Sequence, residues 1–470
     1  MSDSGGGMAL GLYRILPVFL QNLAVSLLGS KRWLHETGPG FQKMVQRLLD
    51  QHDADAGEIR SYRNGRLAEV LKAASHTRFY GDMLPDYGAI EEDPEGVLAS
   101  LPVLSRDGVL EDPEAFINPD YSGRLIRHGT SGTTGTPLQI YWTPECIEME
   151  RALIWRQRIC TGLHFGRTWR GMLGGHQVVP LSDRHPPYWR VNRLAKQVYL
   201  STYHLSPDTA SDYHSCLQKY SITHLEGYPS VLYALARSLR EKGLQYELEG
   251  IYYGAEPLQD FQRECIEDVF SCYVWDYYGL TERVASASEF ECRNGLHENW
   301  ENCYLEVVDE NGRILPEGEY GELVGTSLSN LGFPLLRYRT GDMTRFLEGR
   351  CECGRASRRI AAIDTKREDL LVMPDGSLLS ASNLTYPFKE VANIEKSQIR
   401  QIREDRITVL LVPGDSYSEA DGRRLLEGLC EMVPPDVSIE LQLVRDIPRL
   451  PSGKYAFCVS DVELSSGRSE

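Results

Sequence analysis

His128-Gly129-Thr130-Ser131-Gly132-Thr133-Thr134-Gly135-Thr136-Pro137 runs directly into Leu138-Gln139-Ile140-Tyr141, a short strand-like segment. Its three glycines let backbone N–H groups converge on an anion, and its five hydroxyls donate to phosphate oxygens without a fixed charge. Composition alone also admits a flexible Gly/Ser/Thr linker. A linker between two predicted strands would be oddly placed, so a phosphate loop is the expected role. The run lacks the Gly-Lys-Ser/Thr ending of the phosphate-transfer ATPases, so those enzymes are a poor match.

Outward from this loop, short β-branched and aromatic runs alternate with longer helical stretches such as 229–242, the pattern of a layered α/β core. The reading predicts three parts. Residues 1–120 form a helical N-terminal region with periodic leucines, among them Leu48, Leu49, Leu67 and Leu71. Residues 121–364 form the α/β core. Residues 365–470 form a small α+β domain, with a hairpin turn at Asp375-Gly376, strands at 407–412 and 438–444, and a helix over 419–432 starting at Ser418.

The chain has 470 residues, 41% hydrophobic and 25% charged, which is ordinary globular composition too long for one compact core. Its 67 acidic against 50 basic residues leave a net charge of −17. That field repels polyanions, so nucleic acid is not an expected partner. Eleven scattered cysteines do not make the dense even set of a disulfide-stapled secreted domain, and a cytoplasmic location is expected. The apolar stretch from Met8 to Leu28 is of almost membrane-spanning length, but Arg14, Pro17, Gln21, Asn22 and Ser26 interrupt it. A signal peptide is not expected either, because no cationic region precedes it. The stretch is expected to be an amphipathic helix on the protein body or at a membrane surface, a peripheral contact at most.

Further pieces carry chemistry. Tyr252-Tyr253-Gly254-Ala255-Glu256-Pro257 and Trp275-Asp276-Tyr277-Tyr278-Gly279-Leu280-Thr281-Glu282 join aromatic residues to glycine breaks, and the second ends in a hydroxyl beside a carboxylate. Rings stack on purines, and a hydroxyl–carboxylate pair suits Mg²⁺ carrying phosphates, although each piece alone also reads as core packing. In Arg337-Tyr338-Arg339-Thr340-Gly341-Asp342 the aspartate after a glycine turn can accept from both ribose hydroxyls. Ser452-Gly453-Lys454 places a lysine on a Pro/Gly-framed loop near the end of the small domain.

Together these pieces resemble the adenylate-forming enzymes, in the branch of phenylacetate-coenzyme A ligases and CapK-type proteins of capsular polysaccharide biosynthesis. The likeness runs over nearly the whole chain. Its most specific part is the run from His128 to Pro137, and the segments 17–24 and Glu226-Gly227-Tyr228-Pro229-Ser230 are more particularly CapK-like. The resemblance implies a large layered α/β N-terminal core with a small mobile α+β C-terminal domain, the adenylate-forming fold. It also implies two-step chemistry, in which a carboxylic acid and ATP give an acyl-adenylate and the acyl group then passes to coenzyme A, or to an amine or hydroxyl acceptor. By the same resemblance Thr130, Ser131, Gly132, Thr133, Thr134 and Gly135 would cradle phosphates. Glu256, Tyr277 and Tyr278 would frame adenine, Thr281 and Glu282 would hold phosphate and Mg²⁺, and Asp342 would hold the ribose. Lys454 would stabilise charge developing at the α-phosphate.

One position departs from the pattern. Relatives carry Gly-Arg at the junction before the small domain, whereas this chain has Thr365-Lys366, and lysine keeps the charge but loses the guanidinium fork for the ribose. A nucleotide-binding protein that has lost catalysis is the reading from another class, which Lys454 and Glu282 oppose and Thr365-Lys366 favours. On the substrate side the corresponding segments contain His176, Trp189, Tyr203, His204 and Tyr228, residue types equally suited to core packing. Cys292, His297, Cys351 and Cys353 admit two readings, free thiols or a closed tetrahedral zinc site, since Cys-x-Cys is tighter than the usual zinc ribbon. Zinc in some members of the family favours the second, as a structural ion.

Overall fold

The computed structural model describes residues 13, 15–129, 138–164, 166–175, 178–180, 182–258, 260–363, 370–375, 378–380, 384, 387–388, 391, 393–414, 416–447 and 457–462. Helix α1 (Val18–Thr37) starts where Pro17 ends the extended backbone, and it stops at Gly38, whose successor Pro39 opens α2 (Pro39–Asp50). Helix α3 (Ala56–Ser75) is set by a capping box in which Asp55 accepts from the Gly57 and Glu58 amides and Glu58 reaches back to the Asp55 amide. Three short helices follow, α4 (Tyr87–Glu92), α5 (Pro94–Ser100) and α6 (Arg106–Glu111), each opened by an Asp or Ser cap. The buried side of this region, including Leu67, Leu71, Ile90 and Phe116, packs into the same core as the β-strands around residue 338.

The hairpin β1 (Ile126–Gly129) and β2 (Gln139–Trp142) brackets the glycine-rich run, and α7 (Pro144–Cys160) follows. The main layer is a nine-stranded mixed sheet. Its parallel centre is built from β3 (Trp169–Leu173), β5 (Gln197–Leu200), β6 (Ile222–Gly227), β7 (Gly250–Tyr253) and β8 (Val274–Gly279). Antiparallel β4 (Trp189–Asn192) closes one edge, and β9 (Ser286–Ser288), β10 (Leu296–Glu298) and β14 (Arg359–Ile360) close the other. Helices α8 (Ala210–Tyr220), α9 (Pro229–Glu241) and α10 (Asp260–Phe270) supply the crossovers that parallel neighbours require. Strand β7 is buried at all four positions, Gly-Ile-Tyr-Tyr, as expected for a parallel strand covered on both faces.

A separate three-stranded antiparallel sheet joins β11 (Cys303–Val308), β12 (Gly321–Ser327) and β13 (Tyr338–Thr344). Beyond it lie the hairpin β15 (Leu370–Val372) and β16 (Leu378–Ser380), and then the small domain's four-stranded sheet, in the order β19 (Ser438–Leu443), β18 (Arg406–Pro413), β17 (Ile394–Arg403), β20 (Cys458–Ser460). Helix α11 (Glu419–Cys430) covers that sheet, with Leu425 and Leu429 in a core shared with Ile399, Val409 and Leu411. The predicted helix starts at its Ser418 cap as expected and ends two residues earlier, while β17 carries no clean alternation and was not anticipated.

Candidate active site and a cysteine–histidine cluster

In open α/β sheets, ligands gather beyond the carboxyl ends of the parallel strands. In this sheet β6 ends into Tyr228, β7 into Gly254 to Glu256, β8 into Leu280 to Glu282, and β5 into Ser201 to His204. Two of these ends touch. A Cβ on Gly254 would lie 2.7 Å from the Tyr277 carbonyl oxygen, so glycine is required for the loop after β7 to pass against β8. Ala255 then turns through φ +69° and delivers Glu256, whose buried carboxylate accepts from the Ser230 amide at 3.1 Å near the start of α9.

The end of β8 reaches across to the three-stranded sheet. The Tyr278 hydroxyl donates to Asp342 Oδ2 at 2.8 Å, and the Tyr338 hydroxyl donates to Glu282 Oε1 at 3.1 Å. Burial raises the Glu282 carboxyl above its ordinary range, opposed by its own amide, by Tyr338 and by Arg106. Burial likewise pushes the Tyr278 phenol well up, with the adjacent Asp342 charge acting in the same direction. Strand β13 bends through Gly341 at φ +78°, and the Asp342 amide donates to Thr340 Oγ1 at 3.1 Å.

The hairpin around the glycine-rich run is anchored to this same turn. Trp142 Nε1 donates to the Thr281 carbonyl at 2.9 Å, the His128 ring stacks on Trp142 with centroids 3.8 Å apart, and Arg283 covers the indole at 4.7 Å. Arg283 also pairs with buried Glu150 of α7 at 2.8 Å. Thus β1, β2, the Thr281–Glu282 turn and Asp342 are drawn together. The glycine-rich run itself, with Thr130, Ser131, Gly132, Thr133, Thr134 and Gly135, lies outside the described residues, as do His176, Thr365, Lys366 and Lys454.

The substrate-side candidates divide. Tyr203 and His204 line a cleft of about 600 Å³ that also involves Tyr188 on the core side and Met373, Met432 and Pro434 toward the small domain. His204 stacks on Tyr188 and shares a 2.8 Å hydrogen bond with Ser201 Oγ, and burial lowers its basicity. Trp189 is a core residue of β4, and Tyr228 packs against the same core while heading α9; neither lines the cleft. Sequence reasoning missed Trp142, Glu150 and Arg283. Only proximity in space ties them to the site, since Trp142 is a strand residue, Glu150 a buried helix residue and Arg283 a turn residue from three separate segments.

A second cluster forms at the sheet edge. The ligand atoms of Cys292, His297, Cys351 and Cys353 all lie within 4.8 Å of one another, with His297 Nε2 3.5 Å from Cys292 Sγ and 3.6 Å from Cys353 Sγ. Tetrahedral zinc with Zn–S of about 2.3 Å and Zn–N of about 2.0 Å requires a sulfur–nitrogen separation of about 3.5 Å. Ser357 Oγ lies 2.8 Å from His297 Nδ1, leaving Nε2 directed at the thiols, the outer support a ligating imidazole needs. The donor set and its geometry fit zinc.

Comparison with known proteins agrees with this architecture. A family model described as AMP-binding enzyme matches residues 188–329, and one described as CapK C-terminal domain matches residues 371–461. Protein CapK of Staphylococcus aureus is 23% identical over 96% of this chain and 99% of its own length. A phenylacetate-coenzyme A ligase of Pseudomonas putida is 27% identical over 69% of this chain and 75% of its own. Among solved structures, 2-hydroxyisobutyryl-CoA ligase with 2-HIB-AMP and CoA in the thioesterification state superposes with a TM-score of 0.54, at 19% identity over 87% of this chain and 91% of that one. The AMP-binding match and the ligase relatives indicate an ATP-dependent adenylate-forming ligase, on a fold shared with the solved CoA ligase. Within that class the chain is similar to CapK and the phenylacetate-coenzyme A ligases.

Proposed function

We propose that the protein activates a carboxylic acid with ATP and transfers the acyl group to coenzyme A, in the cytoplasm. The observation that carries this is the convergence of the hairpin flanking residues 130–137, the Thr281–Glu282 turn and Asp342 at the carboxyl edge of the sheet. In the first step a carboxylate oxygen of the acid attacks the α-phosphorus and pyrophosphate leaves. In the second a thiolate attacks the acyl carbon and AMP leaves.

The loop 130–135 would bind phosphate oxygens through its amides and hydroxyls. Glu282, backed by Tyr338, would hold Mg²⁺, which supplies charge neutralisation for the leaving pyrophosphate. Asp342, oriented by Tyr278, would accept from the ribose hydroxyls, with Lys366 beside it, and the segment of Glu256 with Tyr277 and Tyr278 would frame the adenine. Lys454 would face the developing α-phosphate charge in the first step and withdraw with the small domain, taken as residues 365–470, before the second. Tyr203 and His204 would form part of the wall for the acid or its acceptor. Zinc held by Cys292, His297, Cys351 and Cys353 would be structural, bracing β10 beside the antiparallel edge.

A second reading keeps adenylation and changes the acceptor to an amine or hydroxyl. The CapK C-terminal match over residues 371–461 favours it, because acceptor choice depends on the surface that the small domain presents. The test is pyrophosphate release from ATP and Mg²⁺ across aryl, acyl and amino acids, each with and without coenzyme A, with Lys454→Ala as control. A thioester formed only with coenzyme A supports the first reading. Adenylation without any thioester supports the second, and retained ATP binding with no acid-dependent pyrophosphate refutes both.

A further inference from the structure

Helix α1 is turned inside out. Its polar residues Gln21, Asn22 and Ser26 face the protein, where they cap the exposed edge of strand β4. Asn22 Oδ1 accepts from the Val191 amide at 2.8 Å, Ser26 Oγ donates to the Val191 carbonyl at 3.2 Å and accepts from the Arg193 amide at 3.3 Å, and Gln21 bonds to buried Arg190. An edge strand leaves a row of unpaired amides and carbonyls, and a helix that satisfies them with side chains must direct its polar face inward. Its apolar residues are then left outside. Phe19 is 69% exposed, Leu23 52%, Leu27 61% and Leu28 78%, preceded by Ile15 at 77%. A helix packed on a globular body ordinarily shows the reverse arrangement.

Phe19, Leu23 and Leu27 follow one another at intervals of four and form a continuous stripe. Leu194, 46% exposed in the β4–β5 turn, extends the stripe, because the neighbouring Arg193 amide is bonded to Ser26. No helix among the described residues is long and apolar enough to cross a membrane. The charges around the patch also depart from the rest of the chain. In sequence, residues 4–35 contain no Asp or Glu, in a chain with 67 of them, and exposed Arg193 lies beside Ser26 of the helix. The carboxylates near the helix are held in pairs or buried: Glu148 meets His35 at 2.7 Å, Asp183 meets Arg190 at 3.5 Å, and Glu36 is 3% exposed.

From the apolar stripe, the absence of Asp and Glu between residues 4 and 35, and exposed Arg193 beside the helix, we infer that α1 and the β4–β5 turn dock the protein flat on an anionic lipid bilayer surface. Apolar side chains enter the headgroup–acyl boundary while the polar face keeps its bonds to β4. Docking would seat the enzyme at the interface and leave its α/β core in water. The inference stands independently of the acid or acceptor used.

The experiment is co-sedimentation of the full chain with phosphatidylglycerol-containing vesicles and with pure phosphatidylcholine vesicles, alongside Phe19→Glu/Leu27→Glu. Both changes lie on exposed positions, and an unchanged melting temperature establishes that the variant is folded. The expected result is binding to the anionic vesicles, weaker binding to the neutral ones, a loss of at least tenfold in the variant, and a several-fold loss at about 0.5 M salt. Absence of vesicle binding, or equal binding by the variant, overturns the inference. So does a wild-type dimer that the variant dissociates, which would give the face to a second copy. Binding that appears only after removal of residues 2–12 would give it to the chain's own N-terminal segment and also overturn it.

Discussion

Arg337→Met is the substitution whose consequence the structure sets out most fully. Arg337 and Glu306 are both buried, at 4% and 3% exposure. The guanidinium meets Glu306 through Nε at 3.1 Å and Nη2 at 3.0 Å, and it donates to the carbonyls of Ala99, Leu101 and Gly312 at 3.1, 2.5 and 3.1 Å. One side chain therefore ties the helical N-terminal region and the β11–β12 segment to the start of β13, the strand that carries Asp342. Removing it strands a buried carboxylate and three carbonyls. Breaking a buried pair from one side costs about 3–5 kcal/mol, and about 4 is expected here. Burial already pushes the Glu306 carboxyl up, and Arg337 is the main influence holding it down. Without the arginine, the Glu306 pKa in the folded state rises further above its unfolded value. The variant then keeps most of its stability at low pH and loses it as pH rises, so the deficit is larger at pH 8 than at pH 5. Adding Glu306→Leu should recover about half of the loss, because the carboxylate disappears while the three carbonyls remain unbonded. Urea unfolding of the two single variants and the double variant measures each term. A deficit below about 1 kcal/mol for Arg337→Met, or no recovery in the double variant, would refute the reasoning.

Further outcomes follow from the site. Tyr278→Phe removes the 2.8 Å hydrogen bond to Asp342, and steady-state kinetics should show KM for ATP rising about tenfold with kcat little changed. Metal analysis of the purified protein should find one zinc per chain, and Cys351→Ser should lose it and lower the melting temperature. Burial, reinforced by the neighbouring Glu289, raises Asp276 to about 7. Its stabilising contribution is full below pH 4, declines as pH rises toward 7, and is absent above that. Asp276→Asn should accordingly gain stability relative to wild type between pH 5 and pH 7.5, by at most about 1.4 kcal/mol per pH unit, as read by urea titration.

The segments that make the site were legible because their chemistry is local. Gly341 takes a positive φ, Gly254 allows the loop after β7 to pass close against Tyr277, and both stand in short aromatic segments broken by glycine. Helix α11 was visible from its cap, since Ser418 and Asp421 form a box within four residues. What remained hidden depends on contacts between distant segments. Glu150 meets Arg283 across more than a hundred residues, and Trp142 joins the Thr281 carbonyl in the same way. Strand β17 lacks alternation because Gln398 and Gln401 are buried beside Ile399 while Ile402 is exposed, and its pairing with β18 shifts register between Ile394 and Lys396 and again between Gln401 and Arg403. The orientation of α1 was also out of reach. Its apolar positions predict an amphipathic helix, but only the open edge of β4 determines that its polar side turns inward.

The central claim is that this site joins an acid to AMP, and detection of the acyl-adenylate tests it most directly. The enzyme would be incubated with ATP, Mg²⁺ and an acid that stimulates pyrophosphate release, with coenzyme A left out, and the protein-bound products examined by mass spectrometry. The account predicts an acyl-AMP in the wild type that is absent in Lys454→Ala and consumed when the acceptor is added. Acid-dependent ATP turnover that yields ADP and phosphate, with no acyl-AMP at any time, would contradict it.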